Sequence, residues 1–484
     1  MRSISRTGKS NAIYSMGLRT FHKGRMNCIE RATCALALML AASPGITVAG
    51  PADSSAVPNY PRYRLVDFGT LGGGSSGSLG PFKQLNNRGE AIAQSETAIS
   101  DPYPDCPGCL VGHGVVLEHN GLITDLGALP EINASVPAGI SESGLIAGFS
   151  QYGVIDPTTG FVPWQAVLWS RDRSIVALGT FGGNCSTAYS VNSRGQVVGG
   201  ALNAVPENPD FATFVSIDCL AATQARAFRW QDGSMLDLGT LGGNDAVAVE
   251  VNEAGQVVGL SYTGTEINET TARFCGCPGL PTLHPFLWQN GAMTDLGSLG
   301  GTLAWPGPIG GHGSRVVNDS GEVAGTSFLT GDAVQHAFLW SNGQMIDLGT
   351  LGGLKSDAAA LNNKRQVVGS ARVSDTPLVR HAFLWEKGQM TDLGALGCGF
   401  GEAHSINSAS QIVGTVDGCT DGIETAFYVE KGKPMVDLNT LIDPPSPIHI
   451  DSPWNINERG EIFGSGSMPD GTSRAFLLVP LPAH

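Results

Sequence analysis

The 484-residue sequence has little charge, and the charge it has is mostly of one sign. Charged residues make up 15% of the chain, against about 25% in ordinary domains. The 28 Lys and Arg are outnumbered by 43 Asp and Glu. This composition excludes a coiled coil and a charge-rich disordered chain. Because basic side chains supply much of the affinity for phosphates, it also argues against nucleic acid or an anionic membrane surface as a partner.

Long hydrophobic runs are missing as well. The apolar run at 32–42 has 11 residues, too few for the ~20 of a membrane-spanning helix. It follows a basic stretch ending at Arg31 and precedes Thr47-Val-Ala49, a sequence typical of a signal-peptide cleavage site. We therefore predict a signal peptide over 1–49, a linker over 50–61, and a mature chain without a membrane span. That chain is expected to be secreted, to the periplasm or the extracellular space.

Glycine, in contrast, is abundant. The chain has 66 glycines in 484 residues, nearly twice the usual share of about 7%. Glycine costs about 1 kcal/mol relative to alanine inside a helix. The composition therefore disfavours a helical bundle and favours an all-β protein with many turns.

Three short sequence boxes recur eight times in a fixed order. The first resembles Ala-Phe-Leu-Trp, as at 337–340, and the second resembles Asp-Leu-Gly, as at 347–349. The third resembles Ile-Asn-x-x-Gly-Gln-Val-Val-Gly, and its Asn is replaced by Ser141 in the second unit. Asp and Asn side chains bond the backbone of nearby turns. We therefore expect the recurrent Asp and Asn to be part of the scaffold.

The His-Ala-Phe sequences at 336–338 and 381–383, with the boxes that follow them, resemble the HAF-type extracellular repeat family. The resemblance covers about residues 62–480, nearly the whole predicted mature chain. It implies an exported bacterial protein. It implies no catalytic residues, because that family is defined by its repeats.

Each unit contains four short strand candidates joined by tight turns. The first box is followed by Asn-Gly or Asp-Gly, which favours a two-residue hairpin, at 120–121, 232–233, 290–291 and 342–343. Four antiparallel strands repeated every ~40–50 residues are typical of a β-propeller. We predict one all-β domain over 62–484, a propeller of eight blades, with seven blades or a β-solenoid as alternatives. Residues 63–67 are expected to pair with 475–479 and close the ring.

The connection from the third box to the next first box is usually the longest in a unit. We interpret it as the link between blades, which makes the first-box strand innermost. The insertions then share one face with the Thr-Leu-Gly-Gly loops, and they occupy residues 96–113, 151–165, 201–225 and 262–284. Long loops on a rigid scaffold often carry function.

The residue three places before the recurrent Asn differs strongly between units. In five of the eight units it is polar or aromatic: Lys83, Tyr189, Arg315, His404 and Trp454. Placed early in its strand, near the loop-rich face, this set favours a ligand-binding surface. The alternative is packing between blades, with Lys and Arg extending to solvent. The fifth unit adds two candidates of its own, Trp305 as a platform for a sugar ring and His312.

The residue before the first box forms a second candidate ring, which includes Arg226, His284, His336, His381 and Arg474. If the first-box strand is innermost, these side chains line the mouth of the channel. Three histidines in consecutive units suggest a metal site. Equivalent positions on successive blades are too far apart to share one ion, so we predict no metal and no cofactor.

Eight of the ten cysteines remain once the predicted signal peptide is removed. An even number in an exported protein favours disulfides. Their shared layout within units predicts two pairs, Cys185 with Cys219 and Cys398 with Cys419. The other four form small-loop disulfides, cross-link the two loops, or bind zinc, which their spacing fits poorly: Cys106, Cys109, Cys275 and Cys277.

These observations favour a monomeric binding module for a polysaccharide or an extracellular surface protein. One alternative is a secreted polysaccharide lyase or hydrolase, with its acid, base and charge-stabilising groups drawn from His404, His312, Tyr189 and Arg315. Another is a purely structural extracellular protein. The chain has no Gly-x-Ser-x-Gly, His-Glu-x-x-His or phosphate-loop motif.

Overall fold

The computed structural model of the chain describes residues 60–102, 108–118, 122–130, 134–153, 155, 162–207, 223–268, 270, 279–308, 315–417 and 424–482. The predicted signal peptide and most of the predicted linker lie outside these ranges. So do His312 and five of the cysteines considered above: Cys106, Cys219, Cys275, Cys277 and Cys419.

The described residues form eight four-stranded antiparallel sheets, and each sheet is one blade. Two neighbouring pairs of sheets also touch through one parallel backbone bridge each, Leu283 with Leu303 and Arg380 with Phe400. Blades 1 to 4 consist of β2 (Gly72–Gly77), β3 (Ala91–Ser100), β4 (Leu110–Leu117) and β5 (Ile123–Asp125); β6 (Ser135–Ile140), β7 (Ile146–Gln151), β8 (Trp164–Trp169) and β9 (Ile175–Ala177); β10 (Gly182–Val191), β11 (Val197–Pro206), β12 (Thr223–Gln231) and β13 (Ser234–Asp237); and β14 (Ala246–Val251), β15 (Val257–Tyr262), β16 (Leu283–Gln289) and β17 (Ala292–Asp295).

The second half of the ring repeats this arrangement. A 3-10 turn, Leu438–Leu441, follows the last strand of blade 7. Blades 5 to 8 consist of β18 (Gly300–Pro306), β19 (Val323–Leu329), β20 (Gln335–Ser341) and β21 (Gln344–Asp347); β22 (Ser356–Leu361), β23 (Val367–Asp375), β24 (Leu378–Glu386) and β25 (Gln389–Gly394); β26 (Phe400–Ile406), β27 (Gln411–Asp417), β28 (Thr425–Glu430) and β29 (Val436–Asp437); and β30 (His449–Ile456), β31 (Ile462–Ser467), β32 (Ser473–Pro480) and β1 (Tyr63–Asp67).

Blade 8 closes the ring as the sequence predicted. Strand β1 from the start of the repeat region pairs antiparallel with β32, from Tyr63 opposite Pro480 to Asp67 opposite Phe476. The adjoining blade 1 packs on this blade through contacts between β2 and β32. The predicted all-β propeller of eight blades is therefore confirmed, with its two chain ends joined in one sheet.

The order of strands within a blade differs from the prediction. The third-box strand pairs with the following first-box strand inside one sheet, as β11 does with β12. The first strand of a blade also contacts the first strands of its neighbours, as β10 does with β6 and β14. The strand that ends at the recurrent Asn is therefore innermost, and the Asp-Leu-Gly strand is outermost. The prediction that the first-box strand is innermost is wrong.

The link between blades is the Thr-Leu-Gly-Gly loop and not the long connection. This loop is fixed by its own bonds, since the hydroxyl of Thr180 donates to Gly183 O at 2.8 Å and Gly182 has a φ of 102°. Thr70 and Thr350 make the same 2.8 Å bond in their own units. In these units a short link of similar shape joins neighbouring blades, and long insertions are placed inside a blade.

Alternation of antiparallel strands divides the turns between two faces. The long connections and the Thr-Leu-Gly-Gly loops share one face, as predicted, and the Asn turns and the two-residue hairpins share the other. The predicted hairpins have positive φ at both central residues, for example 50° at Asp232 and 83° at Gly233. The dipeptide at 120–121 lies outside the described residues.

The recurrent Asn residues bond the blades together near the axis. Each Oδ1 accepts backbone N–H groups of its own turn, as Asn362 does from Lys364 and Gln366. Each Nδ2 donates to a backbone carbonyl of the next blade, and in blade order the donors are Asn86, Asn192, Asn252, Asn318, Asn362, Asn407 and Asn457. Ser141 has no amide to donate, and its hydroxyl bonds within its own turn. This belt supports the expected scaffold role of the recurrent Asn.

Candidate functional site

The variable position three places before the recurrent Asn lies near the end of the innermost strand in six blades, as Tyr189 does in β10. In blades 1 and 5 the inner strand ends earlier, and Lys83 and Arg315 lie in the segment between that strand and the Asn turn. The expectation that it lies early in its strand, next to the loop-rich face, is wrong, because the strand runs from that face towards the Asn turns. The variable residues therefore lie towards the opposite end of the blades, next to the Asn turns.

A cavity at this end brings together side chains from several blades. Lys83 of blade 1, Tyr189 of blade 3 and Val249 of blade 4 line it, and all three occupy the variable position. Its remaining walls are formed by Phe82, Ser190, Glu250 and Val316. The enclosed space is about 10 Å³. That is room for about one water-sized group, so the cavity suits a single small polar group.

One wall of the cavity is a pair of stacked aromatic rings. Phe82 and Tyr189 lie face to face, with ring centroids 5.8 Å apart and an angle of 8° between planes. The segment that carries Phe82 is fixed from blade 8, because Asn455 Nδ2 donates to Phe82 O at 2.9 Å and Asn455 Oδ1 accepts from Gln84 N at 2.6 Å. The blade 1 segment is thus held across the channel against blade 3.

The cations at the variable position are paired with acids. Lys83 Nζ lies 2.9 Å from Glu142 Oε1. Arg315 Nη2 donates to Asp319 Oδ1 at 2.8 Å and to Asn363 Oδ1 at 3.0 Å. Lys83 is 34% exposed and Arg315 is 30% exposed, so both retain contact with solvent. The ion pairs of Lys83 and Arg315 are consistent with packing between blades, but their partial exposure leaves both side chains accessible to a ligand.

Glu250 is the cavity residue that the sequence comparison missed. It is buried, at 9% exposure, and its Oε2 accepts from Val316 N at 2.6 Å and from Val317 N at 3.2 Å. Burial raises the pKa of Glu250 to about 7, against the hydrogen bond from Val316 and the positive charges of Arg315 and Lys83. The available signal was a lone acid two places before the Asn, where the other units have neutral residues.

His404 and Trp454 form a second group, on the adjoining blades 7 and 8. Their rings are stacked, with centroids 4.3 Å apart and planes 13° apart. His404 Nδ1 lies 3.0 Å from Pro453 O, and its Nε2 lies 3.3 Å from the hydroxyl of Thr415. Burial lowers the pKa of His404 below its ordinary value. His404 is 7% exposed, whereas Trp454 is only partly buried.

Trp305 does not fit its predicted role. Its side chain is 1% exposed and packs edge-on against Phe328, with ring centroids 6.0 Å apart and planes at 70°. A ring enclosed in this way has no face free for a sugar, so the platform interpretation is wrong. The structure does not bring Tyr189 and His404, two residues of the enzyme alternative, into one group. Tyr189 lines the cavity, His404 stacks on Trp454, and His312 lies outside the described residues.

The predicted channel-mouth residues lie on the third strands of their blades, away from the axis. Each histidine bonds through Nδ1 to the Asp of the outermost strand, at 2.9 Å in the case of His284 and Asp295. Arg226 makes the same contact with Asp237 at 3.0 Å, whereas Arg474 donates to Gly74 O at 2.6 Å. The matching pairs are His113 with Asp125, His336 with Asp347 and His381 with Asp392. Their predicted place at the channel mouth is wrong.

The His–Asp pairs stabilise the outer edge of the blades. Partial burial acts to raise the pKa of Asp295, but hydrogen bonds from His284 and Gly297 and the charge of His284 outweigh it and lower that pKa. Gly297 N donates to Asp295 Oδ1 at 2.7 Å, so the same carboxylate also fixes the Asp-Leu-Gly turn. This network explains why His and Asp recur together in the sequence.

Two carboxyl groups with raised pKa values, Asp245 and Asp357, lie at the opposite, loop-rich end of the inner strands. Burial and the neighbouring Glu207 raise the pKa of Asp245 to about 8, and burial and Glu402 raise the pKa of Asp357 to about 6. Asp245 Oδ1 accepts from Ala225 N at 2.7 Å, and Asp357 Oδ1 accepts from Gln335 Nε2 at 2.6 Å. Each bond crosses from one blade to the next, which indicates a role in the scaffold.

In the part of the chain that the structure describes, no group of three or more His, Cys, Asp or Glu residues is arranged to hold a metal ion. Within the same ranges no helix has the length and apolar character needed to cross a membrane.

Comparisons with known proteins find solved structures that resemble the chain at low sequence identity. No family model and no curated protein matches the sequence. The propeller domain of the Trilobed protease from Pyrococcus furiosus is 7% identical, with a TM-score of 0.41, over 78% of this chain and 98% of that one. A Mycobacterium tuberculosis puromycin-hydrolyzing peptidase is 10% identical, with a TM-score of 0.38, over 85% of this chain and 61% of that one. Porphyromonas gingivalis dipeptidyl peptidase 4 is 11% identical, with a TM-score of 0.41, over 78% and 56%. At these values the similarities carry no argument about ligand or activity.

Proposed function

We propose that the protein is an exported binding module that recognises a glycan at the end of its central channel. One observation carries the proposal: five blades carry Lys, Tyr, Arg, His and Trp at one variable position just before the Asn turn, and two of these line a common cavity. At this position Tyr189 and His404 are buried, at 2% and 7% exposure, whereas Lys83, Arg315 and Trp454 are partly exposed. Binding sites combine aromatic walls with a few convergent polar groups, as this position does.

The aromatic residues favour a glycan over other ligands. The apolar faces of sugar rings pack on aromatic rings, and their hydroxyl groups need polar partners nearby. Trp454 is partly exposed and is held in place by its stack on His404, so its orientation is fixed before a ligand binds. Lys83 and Arg315 supply hydrogen-bond donors at the same level of the channel.

Trp454→Leu and Lys83→Met are expected to weaken glycan binding by about ten-fold or more each, since each removes a direct contact. The measurement is thermal unfolding of residues 50–484 with a panel of oligosaccharides, because a ligand that binds only the folded state raises the melting temperature. Leu236→Ala is the control, since Leu236 is 43% exposed on the outermost strand of blade 3. Binding that survives both substitutions, or no binding to any glycan, contradicts the proposal.

Export and the cysteine pairing remain proposals. We propose that the mature chain begins at Gly50 and contains disulfides between Cys185 and Cys219 and between Cys398 and Cys419. Cys109, Cys185 and Cys398, the cysteines within the described ranges, are disulfide-bonded, which supports pairing in general. Peptide mapping of the exported protein by mass spectrometry under non-reducing conditions is expected to recover both cross-linked peptides and an N-terminal peptide starting at Gly50. Free thiols at these four positions, or a mature chain that retains Met1, would refute this.

A further inference from the structure

The cavity contains a carboxylate with one oxygen engaged and one available. Both backbone bonds to Glu250 go to Oε2, from Val316 N and Val317 N of blade 5. Among the described residues no hydrogen bond reaches Oε1, although Glu250 is buried and lines the cavity. Neutral Ser190 makes a similar bond, accepting from Val251 N of the next blade at 3.3 Å. Bonding blade 4 to blade 5 thus does not require a charge at position 250.

The charges around the cavity leave Glu250 unbalanced. Lys83 faces it from blade 1, but its ammonium lies 2.9 Å from Glu142. Arg315 faces it from blade 5, but its guanidinium lies 2.8 Å from Asp319. Each cation is therefore matched by an acid of its own, and among the described residues Glu250 has no salt-bridge partner. Burial raises the pKa of Glu250 to about 7, and a ligand with a positive group beside it would favour the ionised carboxylate.

The aromatic wall suits the same kind of group. Tyr189 and Phe82, stacked on each other, line the cavity together with Glu250. An aromatic ring attracts a nearby cation, and this attraction strengthens when water is excluded. A carboxylate and an aromatic wall around a space for about one water-sized group are complementary to a small ammonium group.

We propose that this cavity binds a primary ammonium group, and that the glycan recognised by the protein contains free amino sugars. The inference rests on the proposed function and specifies the class of glycan. The ammonium group donates to Glu250 Oε1 and lies against Tyr189, and the attached sugar ring extends towards the solvent opening. Acetylation of the amine removes its charge and adds bulk, so an N-acetylated sugar binds less tightly.

The test compares three oligosaccharides of equal length, built from glucosamine, N-acetylglucosamine or glucose, by titration calorimetry at neutral pH. The native protein is expected to bind the glucosamine oligomer about ten-fold more tightly than the other two, as a charged hydrogen bond requires. Glu250→Gln is expected to abolish this preference. A glutamine at this position still accepts the bonds from Val316 and Val317 through its amide oxygen, so the blade contact is retained.

Glu322→Gln is the matched control. Glu322 is also a buried acid, at 8% exposure, but it accepts from its own turn through Asn318 and from Ser341. Four other units carry Gln at the equivalent place: Gln196, Gln256, Gln366 and Gln411. This variant is expected to keep the preference for glucosamine.

The outcomes separate the two proposals. Equal binding of glucosamine and N-acetylglucosamine oligomers by the native protein overturns the ammonium site and leaves glycan binding intact. A preference that persists in Glu250→Gln places the amine elsewhere and also overturns the site. Failure of all three oligomers to bind, in a protein that unfolds cooperatively, counts against both proposals.

Discussion

Phe476→Ala is expected to lower the free energy of unfolding by about 3–5 kcal/mol, the usual cost of emptying a buried phenylalanine site. Phe476 is fully buried in β32, the strand that joins the last blade to β1. It packs with Tyr63, Ile462 and Leu478, residues from the two ends of the domain. The cavity left by the substitution therefore weakens the only sheet among the described blades that contains both chain ends.

Chemical denaturation followed by tryptophan fluorescence measures this effect. Val479→Ala is the control, because Val479 lies in the same strand but is only partly buried. Its cost is expected to be less than half that of Phe476→Ala. Equal costs for the two substitutions would mean that ring closure does not depend on the packing of Phe476.

Gly259→Ala is expected to destabilise the protein by about 1–3 kcal/mol or more, because the added methyl group has no room. A Cβ at Gly259 would lie 2.1 Å from Val247 O on the inner strand and 2.5 Å from the ring of Phe286. The glycine of the third box thus lets the phenylalanine of the first box approach the inner strand. Equivalent glycines have a backbone oxygen within 2.2 Å of the added carbon: Gly148, Gly199, Gly325, Gly369, Gly414 and Gly464.

Blade 1 supports this explanation, because it has Ala93 at the glycine position. There the opposite residue is Val115 instead of phenylalanine, and the inner strand β2 ends earlier, at Gly77. Because Val115 is smaller than phenylalanine and the inner strand does not extend to this position, the methyl group of Ala93 has space.

The melting temperature of Gly259→Ala is compared with that of Gly264→Ala. No atom lies within 4 Å of a Cβ built at Gly264, and its backbone does not require glycine. Gly264→Ala is therefore expected to leave the melting temperature almost unchanged. In the double variant Gly259→Ala/Phe286→Leu, the smaller side chain should restore part of the loss. Equal melting temperatures for the two alanine variants would show that the inner strand shifts to accommodate the methyl group.

Several parts of the fold could be predicted from the sequence because short-range chemistry decides them. Asn-Gly and Asp-Gly fix hairpins by their tolerance of positive φ, and Asn342 and Gly343 adopt 52° and 78°. The eight-fold repeat fixed the number of blades, and the unmatched strands at the two ends predicted ring closure. These inferences needed only residues close in sequence or the order of the boxes.

The division of the chain into blades could not be predicted in the same way. A repeated sequence can be divided into units at any of its loops. The length of a loop did not indicate which loop links two blades. The Thr-Leu-Gly-Gly loop is short but links blades, because its own hydrogen bonds hold it in the required shape. The long connection stays within a blade, and so the histidines expected at the channel mouth lie near the outer edge.

The sequence by itself determined the propeller, its closure and the position that varies from blade to blade. Only the tertiary structure decided which of those residues meet. Lys83, Tyr189 and Glu250 are far apart in sequence and lie on blades 1, 3 and 4, yet they line one cavity. Phe82 follows the inner strand of blade 1 and stacks on Tyr189 of blade 3. Such contacts depend on the distances between blades, which no local sequence pattern encodes.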